Sequence, residues 1–163
     1  MKDLIIYYSW TGHTKTVAST IAEELKGELV GLKEEKDRKK GLGYVSAAFQ
    51  ALFGLKSKIK EPNLKISDYQ RIFIGTPIWA GKATPAVNTI LSKCKLENKK
   101  IFLFFTLQDN KPPLQAVKIL TKNVKQQGGQ VYNTMSVRTR MGEELKKEKV
   151  KTKVREWLQK IGE

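Results

Sequence analysis

Apolar runs alternate with amphipathic segments along most of this chain of 163 residues, and this order of elements limits the folds that it can adopt. Leu4–Tyr8 is a short apolar run that predicts a buried strand, and a segment with apolar residues every three or four positions follows it. Lys100–Phe105 is almost continuously apolar, as parallel strands covered on both faces are. Alternating strands and helices predict an α/β fold, with a parallel sheet between two layers of helices.

Capping and turn residues set the bounds of the predicted elements. Thr84 and Pro85 have the character of an N-cap and a first helical residue, and Gly128–Gly129 ends another helix. The predicted strands cover residues 3–8, 28–32, 71–75, 100–105 and 130–137. The predicted helices cover residues 14–26, 85–95, 114–127 and 142–161.

The segment 34–67 is longer than a connection between two parallel strands requires. It contains a basic run, Lys36–Lys40, and then apolar residues spaced as in a helix between Tyr44 and Phe53. The spacing favours a helix packed on the sheet. The alternative is a flap or docking element beside the ligand-binding edge of the sheet.

Size and composition are those of a globular protein, and residues 1–163 are expected to form a single domain. Hydrophobic residues make up 40% of the chain. No run approaches the roughly 20 apolar residues that a membrane span needs. No signal or transit peptide is visible, and one cysteine, Cys94, cannot form an internal disulfide. These features predict a cytoplasmic protein.

The chain is strongly basic, since 31 Lys and Arg residues against 16 Asp and Glu residues give a formal net charge of +15. A surface of this charge favours acidic partners. The basic residues are dispersed and do not alternate with aromatic residues, so no specific nucleic acid is expected. The sequence therefore predicts an acidic protein partner, with an anionic membrane surface as an alternative, unless the lysines serve only to solvate helix faces.

The first loop, Ser9-Trp10-Thr11-Gly12-His13-Thr14, joins the first predicted strand to the first predicted helix. Its three hydroxyl groups, its backbone N–H groups and the positive end of the helix dipole can together hold a phosphate. The Walker-type motif with its lysine is absent. The first loop thus predicts a phosphorylated ligand held by neutral donors, although the same residues also suit a plain turn with an N-cap.

The second loop, Thr76-Pro77-Ile78-Trp79-Ala80-Gly81, follows the third predicted strand. Ligands of open α/β sheets bind at the carboxyl ends of the strands, where this loop is expected. Trp79 in a turn can offer a flat face to a planar ring, and Gly81 lets the backbone come close to a ligand. The alternative is that Trp79 only covers the top of the sheet.

The third loop, Thr106-Leu107-Gln108-Asp109-Asn110, follows the fourth predicted strand, and with the first two loops it makes the whole chain resemble the flavodoxin family. The resemblance implies a flavodoxin-like three-layer α/β/α fold of the short-chain type, with a five-stranded parallel sheet of order 2-1-3-4-5. It also implies FMN as the cofactor. Two features depart from the family: typical flavodoxins are acidic, and many stack a tyrosine on the flavin from the third loop, which here has neither an aromatic residue nor a glycine.

The resemblance assigns each loop a role in binding FMN. In the first loop, Ser9, Thr11, Gly12 and Thr14 would hold the phosphate. In the second loop, Thr76, Trp79 and Gly81 would approach the isoalloxazine ring. The third loop, residues 106–110, would close the other edge of the ring.

The implied function is that of a redox protein, an electron carrier between redox partners. Two alternatives stay open: a small FMN-dependent NAD(P)H:quinone-type reductase, and an interaction module that keeps the fold without flavin. A phosphoacceptor receiver domain is excluded because Ser9 and Thr76 stand where its acidic residues would be. No metal is expected, since His13 and Cys94 are the only residues of their kinds. The dinucleotide-binding glycine motif is absent as well.

Overall fold

A computed structural model describes residues 2–35, 56–60, 62–140 and 142–162. Its strands are β1 (Lys2–Tyr7), β2 (Glu28–Gly31), β3 (Lys33–Glu34), β4 (Ile59–Lys60), β5 (Tyr69–Trp79), β6 (Lys82–Ala83), β7 (Lys100–Leu107) and β8 (Gln130–Arg138). Its helices are α1 (His13–Leu25), α2 (Pro85–Lys93), α3 (Leu114–Gln126) and α4 (Lys147–Gly162), with a short 3-10 turn over Ile66–Asp68. The helix predicted between Tyr44 and Phe53 lies outside the described residues.

Five parallel strands form the central sheet in the order β2-β1-β5-β7-β8. Because β5, β7 and β8 are the third, fourth and fifth predicted strands, this is the predicted order 2-1-3-4-5. β6 is added to this sheet by antiparallel pairing with the end of β5, whereas β3 and β4 form a separate two-stranded antiparallel sheet. The predicted fold class is therefore confirmed.

Side chains of the three inner strands β1, β5 and β7 alternate between two apolar cores, one on each face of the sheet. On one face, Ile5 and Phe73 belong to a core that includes Val17 of α1 and Val154 of α4. The other core contains the alternate strand residues together with residues of α2 and α3: Leu4, Ile72, Leu103, Ile90, Leu120. Burial on both faces explains why the strands are continuously apolar. In the described part of the chain, no helix has the length and apolar character of a membrane span.

The neighbouring strands β5 and β7 are in close contact at Gly75, which lies opposite Phe104 in the sheet. A Cβ atom at this position would overlap the ring of Phe104, which is itself fully buried. Gly75 is required here by the close approach of a ring, since its backbone is in an ordinary strand conformation.

Two elements depart most from their predicted bounds. The strand predicted to end at Gly75 continues to Trp79, because β6 pairs with its last residues through a tight hairpin. Ala80 and Gly81 form that turn, with φ values of 47° and 77°. The final helix begins at Lys147 and not at Gly142, whose φ of 80° is left-handed and does not continue into a helix.

Cys94 lies directly after the last residue of α2 and is half-buried. Burial raises the pKa of its thiol. A thiol that keeps its proton is a poor nucleophile, so the position of Cys94 fits a packing role.

Candidate functional site

A cleft of about 460 Å³ opens at the carboxyl edge of the sheet. Its volume falls within the roughly 300–1,000 Å³ that ligand pockets occupy. The cleft brings together residues of all three predicted loops: Trp10, Thr11, His13, Pro77, Ile78, Trp79, Gly81, Thr106, Leu107, Gln108 and Asp109. Six predicted residues do not line it: Ser9, Gly12, Thr14, Thr76, Ala80 and Asn110.

The first loop is shaped by hydrogen bonds among its own residues. The backbone N–H of Gly12 donates to Ser9 Oγ at 3.2 Å, and Gly12 has a φ of 96° directly before α1. Thr16 N–H donates to the Gly12 carbonyl at 3.0 Å and so begins the helical ladder. The N–H groups of residues 13–15 precede that ladder and have no carbonyl one turn back within the helix. They are the donors that a phosphate would require.

His13 ties the first loop to the loop before α4. Its Nε2 lies 2.7 Å from the carbonyl oxygen of Glu143, and its Nδ1 lies 3.3 Å from Thr11 Oγ1. A carbonyl oxygen only accepts, so Nε2 carries a proton. His13 therefore positions the exposed Thr11 hydroxyl at the cleft and does not simply face solvent.

Thr14 departs from its predicted role. Its side chain is 1% exposed, and Thr14 Oγ1 lies 2.7 Å from Thr106 Oγ1, which is also buried. The Thr14–Thr106 pair joins the start of α1 to β7. The Thr14 hydroxyl thus positions the first loop through a contact within the protein.

Thr76 also lies elsewhere than the sequence predicts. It is fully buried in β5, where its Oγ1 accepts the backbone N–H of Thr84 at 3.1 Å. This contact fixes the start of α2, and the Thr76 side chain does not reach the cleft. The sequence placed Thr76 in a loop because it could not show how far β5 extends.

Trp79 forms part of an aromatic wall of the cleft. It is the last residue of β5 and not a turn residue, and only 6% of it is exposed. Its ring meets Tyr8 and Trp10 edge-on, at centroid distances of 5.7 and 5.9 Å. Trp10, which is less buried, therefore shares the wall with Trp79.

The third loop is shorter than predicted. Thr106 and Leu107 belong to β7 and are buried. Gln108 and Asp109 are exposed, and Asp109 Oδ1 accepts the backbone N–H of Lys111 at 3.2 Å. The loop thus contributes polar groups to the cleft where β7 ends.

Sequence reasoning missed the next part of the chain and one residue after β8. Lys111, Pro112, Pro113, Leu114, Gln115 and Thr139 also line the cleft. The two prolines directly before a predicted helix are the signal that could have extended the third loop to this segment. Thr139 gave no signal, because it reaches the cleft through its backbone bond to the Leu107 carbonyl, at 2.8 Å.

The donor set of the cleft fits FMN. Neutral N–H and hydroxyl donors at the start of α1 suit a phosphate, and the wall formed by Trp10 and Trp79 suits a planar ring. A parallel sheet of this order, with these features at its carboxyl edge, defines the flavodoxin-like class of α/β proteins. A family model described as Flavodoxin matches residues 2–161, and the chain belongs to the flavodoxin family.

Solved structures give the same fold. A flavoprotein from Lactobacillus acidophilus in complex with FMN is 28% identical, with a TM-score of 0.68 over 83% of this chain and 92% of its own. A protein from Bacteroides uniformis is 21% identical, with a TM-score of 0.81 over 97% of each chain. Oxidised flavodoxin 1 from Bacillus cereus is 18% identical, with a TM-score of 0.54 over 98% of each chain. A search of curated proteins gave no match.

Proposed function

We propose that this chain binds FMN in the cleft and carries electrons between redox proteins in the cytoplasm. The observation that supports this most directly is the joining of two features in one cleft: the donors at the start of α1 and the aromatic wall of Trp10 and Trp79. Membership of the flavodoxin family and the FMN complex of the Lactobacillus acidophilus relative support the same function.

In this proposal the chain binds and orients the cofactor, and FMN supplies the electron-transfer chemistry when it is bound. The N–H groups of residues 13–15 and the Thr11 hydroxyl hold the phosphate. Trp10 and Trp79 pack against the ring from the side of β5. Ser9, Thr14 and His13 keep the first loop in the conformation that binds, through the hydrogen bonds to Gly12, Thr106 and Glu143.

The proposed partner is an acidic redox protein, because exposed cations lie around the cleft. Lys111 lines it, and Arg138 donates from Nε to the Gln108 carbonyl at 3.4 Å. Lys111→Glu should slow electron transfer to a small acidic iron–sulfur protein at low salt, and less so at high salt, because screening removes electrostatic steering. Lys122→Glu changes the charge equally on an exposed part of α3 outside the cleft and is the matched control.

The experiment that tests the function is the absorption spectrum of the purified protein, before and after addition of FMN, followed by assays of nicotinamide oxidation. A yellow protein, or one reconstituted by FMN, that does not oxidise NADH or NADPH supports the carrier. Turnover of a nicotinamide with a quinone would replace the carrier by the reductase. A colourless protein that FMN cannot reconstitute would leave only the interaction module.

A further inference from the structure

The third loop offers no aromatic side chain to the cleft, but the segment that follows it supplies apolar surface. Pro112, Pro113 and Leu114 all line the cleft. Leu114 is 74% exposed, whereas Leu29 and Ile119, both 38% exposed, are far better covered. An apolar side chain exposed to this degree at the edge of a cleft gains most from a ligand that covers it.

The segment that carries Leu114 is held in one conformation. Leu114 N–H donates to the Pro112 carbonyl at 2.9 Å, and Val117 N–H donates to the Pro113 carbonyl at 2.9 Å. Pro113 has φ −80° and ψ 64°, the geometry of an inverse γ-turn. Two proline rings and a direct connection to α3 leave little backbone freedom, so little entropy is lost when a ligand binds here.

Leu114 and Trp10 belong to segments on different sides of β5, and Trp79, the other residue of the aromatic wall, ends β5 itself. The sheet order puts β1, and therefore Trp10, on one side of β5, and β7 with its following segment on the other. The start of α3 comes close to the turn after β5, since a Cβ atom at Gly81 would lie 3.7 Å from Gln115 Oε1. A planar ring in the cleft would thus have aromatic groups towards β1 and the end of β5, and an aliphatic group towards α3.

We infer that Leu114, held by the Pro112–Pro113 turn, covers the side of the isoalloxazine ring that faces away from Trp10, in the place of an aromatic side chain. This inference rests on the proposed binding of FMN. An aliphatic cover binds through buried apolar area and offers no ring–ring contact. The absence of an aromatic residue from residues 106–110 is then compensated by the residues directly after them.

Titration of flavin fluorescence with FMN and with riboflavin tests the inference, using Leu114→Ser and the matched control Ile119→Ser on the same helix. Leu114→Ser should weaken both flavins about tenfold, because the lost contact is with the ring that they share. Ile119 does not line the cleft, so its variant should bind as the wild type does. Leu114→Tyr should bind both flavins about threefold more tightly and quench their fluorescence more strongly.

The outcomes separate the inference from the proposed function. Unchanged affinity in Leu114→Ser, with FMN bound normally by the wild type, would overturn the role of Leu114 and leave FMN binding intact. Loss of affinity for FMN alone would place Leu114 at the phosphate and also overturn the inference. Failure of the wild type to bind either flavin would overturn the proposed function and this inference with it. Circular dichroism of each variant establishes that it is folded.

Discussion

At the amino edge of the sheet, where the parallel strands begin, polar side chains bond to one another, whereas at the carboxyl edge several of them face an open cleft. Arg71 Nε donates to Oδ1 of the buried Asp3 at 2.7 Å, and Arg71 Nη2 contacts its other oxygen. Glu28 accepts hydrogen bonds from Lys2 Nζ at 2.8 Å and from Tyr69 Oη at 2.7 Å. These contacts lower the pKa of Glu28 and raise the pKa of Tyr69 to about 12.

The carboxyl edge contains groups of a different kind. The exposed Thr11 hydroxyl lies at the cleft beside His13, the first residue of α1. In the part of the chain that the structure describes, Thr11 Oγ1 is 3.3 Å from His13 Nδ1 and is open to the cleft. One edge of the sheet is thus stabilised by ion pairs and hydrogen bonds, while the other edge keeps polar groups that a ligand can bind. Substitutions at the amino edge should therefore change stability alone, and substitutions at the cleft should change binding alone.

The largest expected effect is that of Asp3→Ala. It leaves the partly buried Arg71 guanidinium without a carboxylate, and should lower the free energy of unfolding by about 3 kcal/mol. Urea unfolding measures this, and FMN titration of the folded variant should give the wild-type affinity. Lys2→Ala breaks only an exposed ion pair and should cost less than about 1 kcal/mol. Weaker FMN binding by folded Asp3→Ala would break the proposed separation of the two edges.

Thr11→Ala should act in the opposite way, on binding and not on stability. A hydrogen bond to a charged phosphate contributes about 1.5–2 kcal/mol, so FMN should bind about 10- to 30-fold more weakly. Riboflavin, which has no phosphate, should bind as before. Thr152→Ala, on the exposed side of α4, is the control. Equal losses for FMN and riboflavin would contradict the placement of the phosphate at Thr11.

Thr14→Val should change stability although Thr14 belongs to the first loop, because its side chain is buried against Thr106. The substitution leaves the buried Thr106 hydroxyl without its partner, and should cost about 1 kcal/mol of unfolding free energy. Thr106→Val should cost a similar amount, and the double variant should cost less than the sum of the two. Chemical denaturation of the four proteins measures the coupling. Additive losses would show that the two hydroxyls do not depend on each other.

The smallest effect expected is a change in the pH dependence of stability at the amino edge. Tyr69 loses its proton near pH 10 in the unfolded chain but near 12 in the folded chain, because its hydroxyl donates to Glu28. Its contribution is complete below pH 10 and is lost as the pH rises towards 12. Tyr69→Phe should flatten the decline of unfolding free energy between these values, while Tyr132→Phe, on an exposed ring, should leave it as in the wild type. Identical slopes in all three proteins would contradict the role of the Tyr69–Glu28 bond.

The order of strands and helices could be predicted from sequence because periodicity and turn residues are local signals. The bounds of β5 could not be predicted, since its extension to Trp79 depends on pairing with β6. The turn between these strands begins with Ala80 at positive φ. Alanine is not a usual residue in that conformation, so the sequence contained no hairpin signal. The end of β5 at Trp79 is therefore set by its pairing with β6 and not by a local sequence signal.

The candidate site likewise has a part that could be predicted from the sequence and a part that could not. Loop composition indicated which segments meet at the cleft, because the carboxyl ends of parallel strands lie at one edge. It could not show which hydroxyls face a ligand, since the Thr14–Thr106 bond joins residues that are 92 positions apart. The contribution of Leu114 was also missed, because an apolar residue at the start of a helix is usually assigned to a core.

Positions 75 and 104 must change together in any redesign or evolutionary variant of this protein, because the Phe104 ring fills the space beside Gly75. A side chain at position 75 needs the volume that the Phe104 ring now fills, and a smaller residue at position 104 alone would leave a void between two central strands. Neither position is therefore free to vary unless the other varies with it. Libraries that randomise the pair together should yield folded members, such as an alanine at 75 with a smaller aliphatic residue at 104, that libraries of single changes exclude.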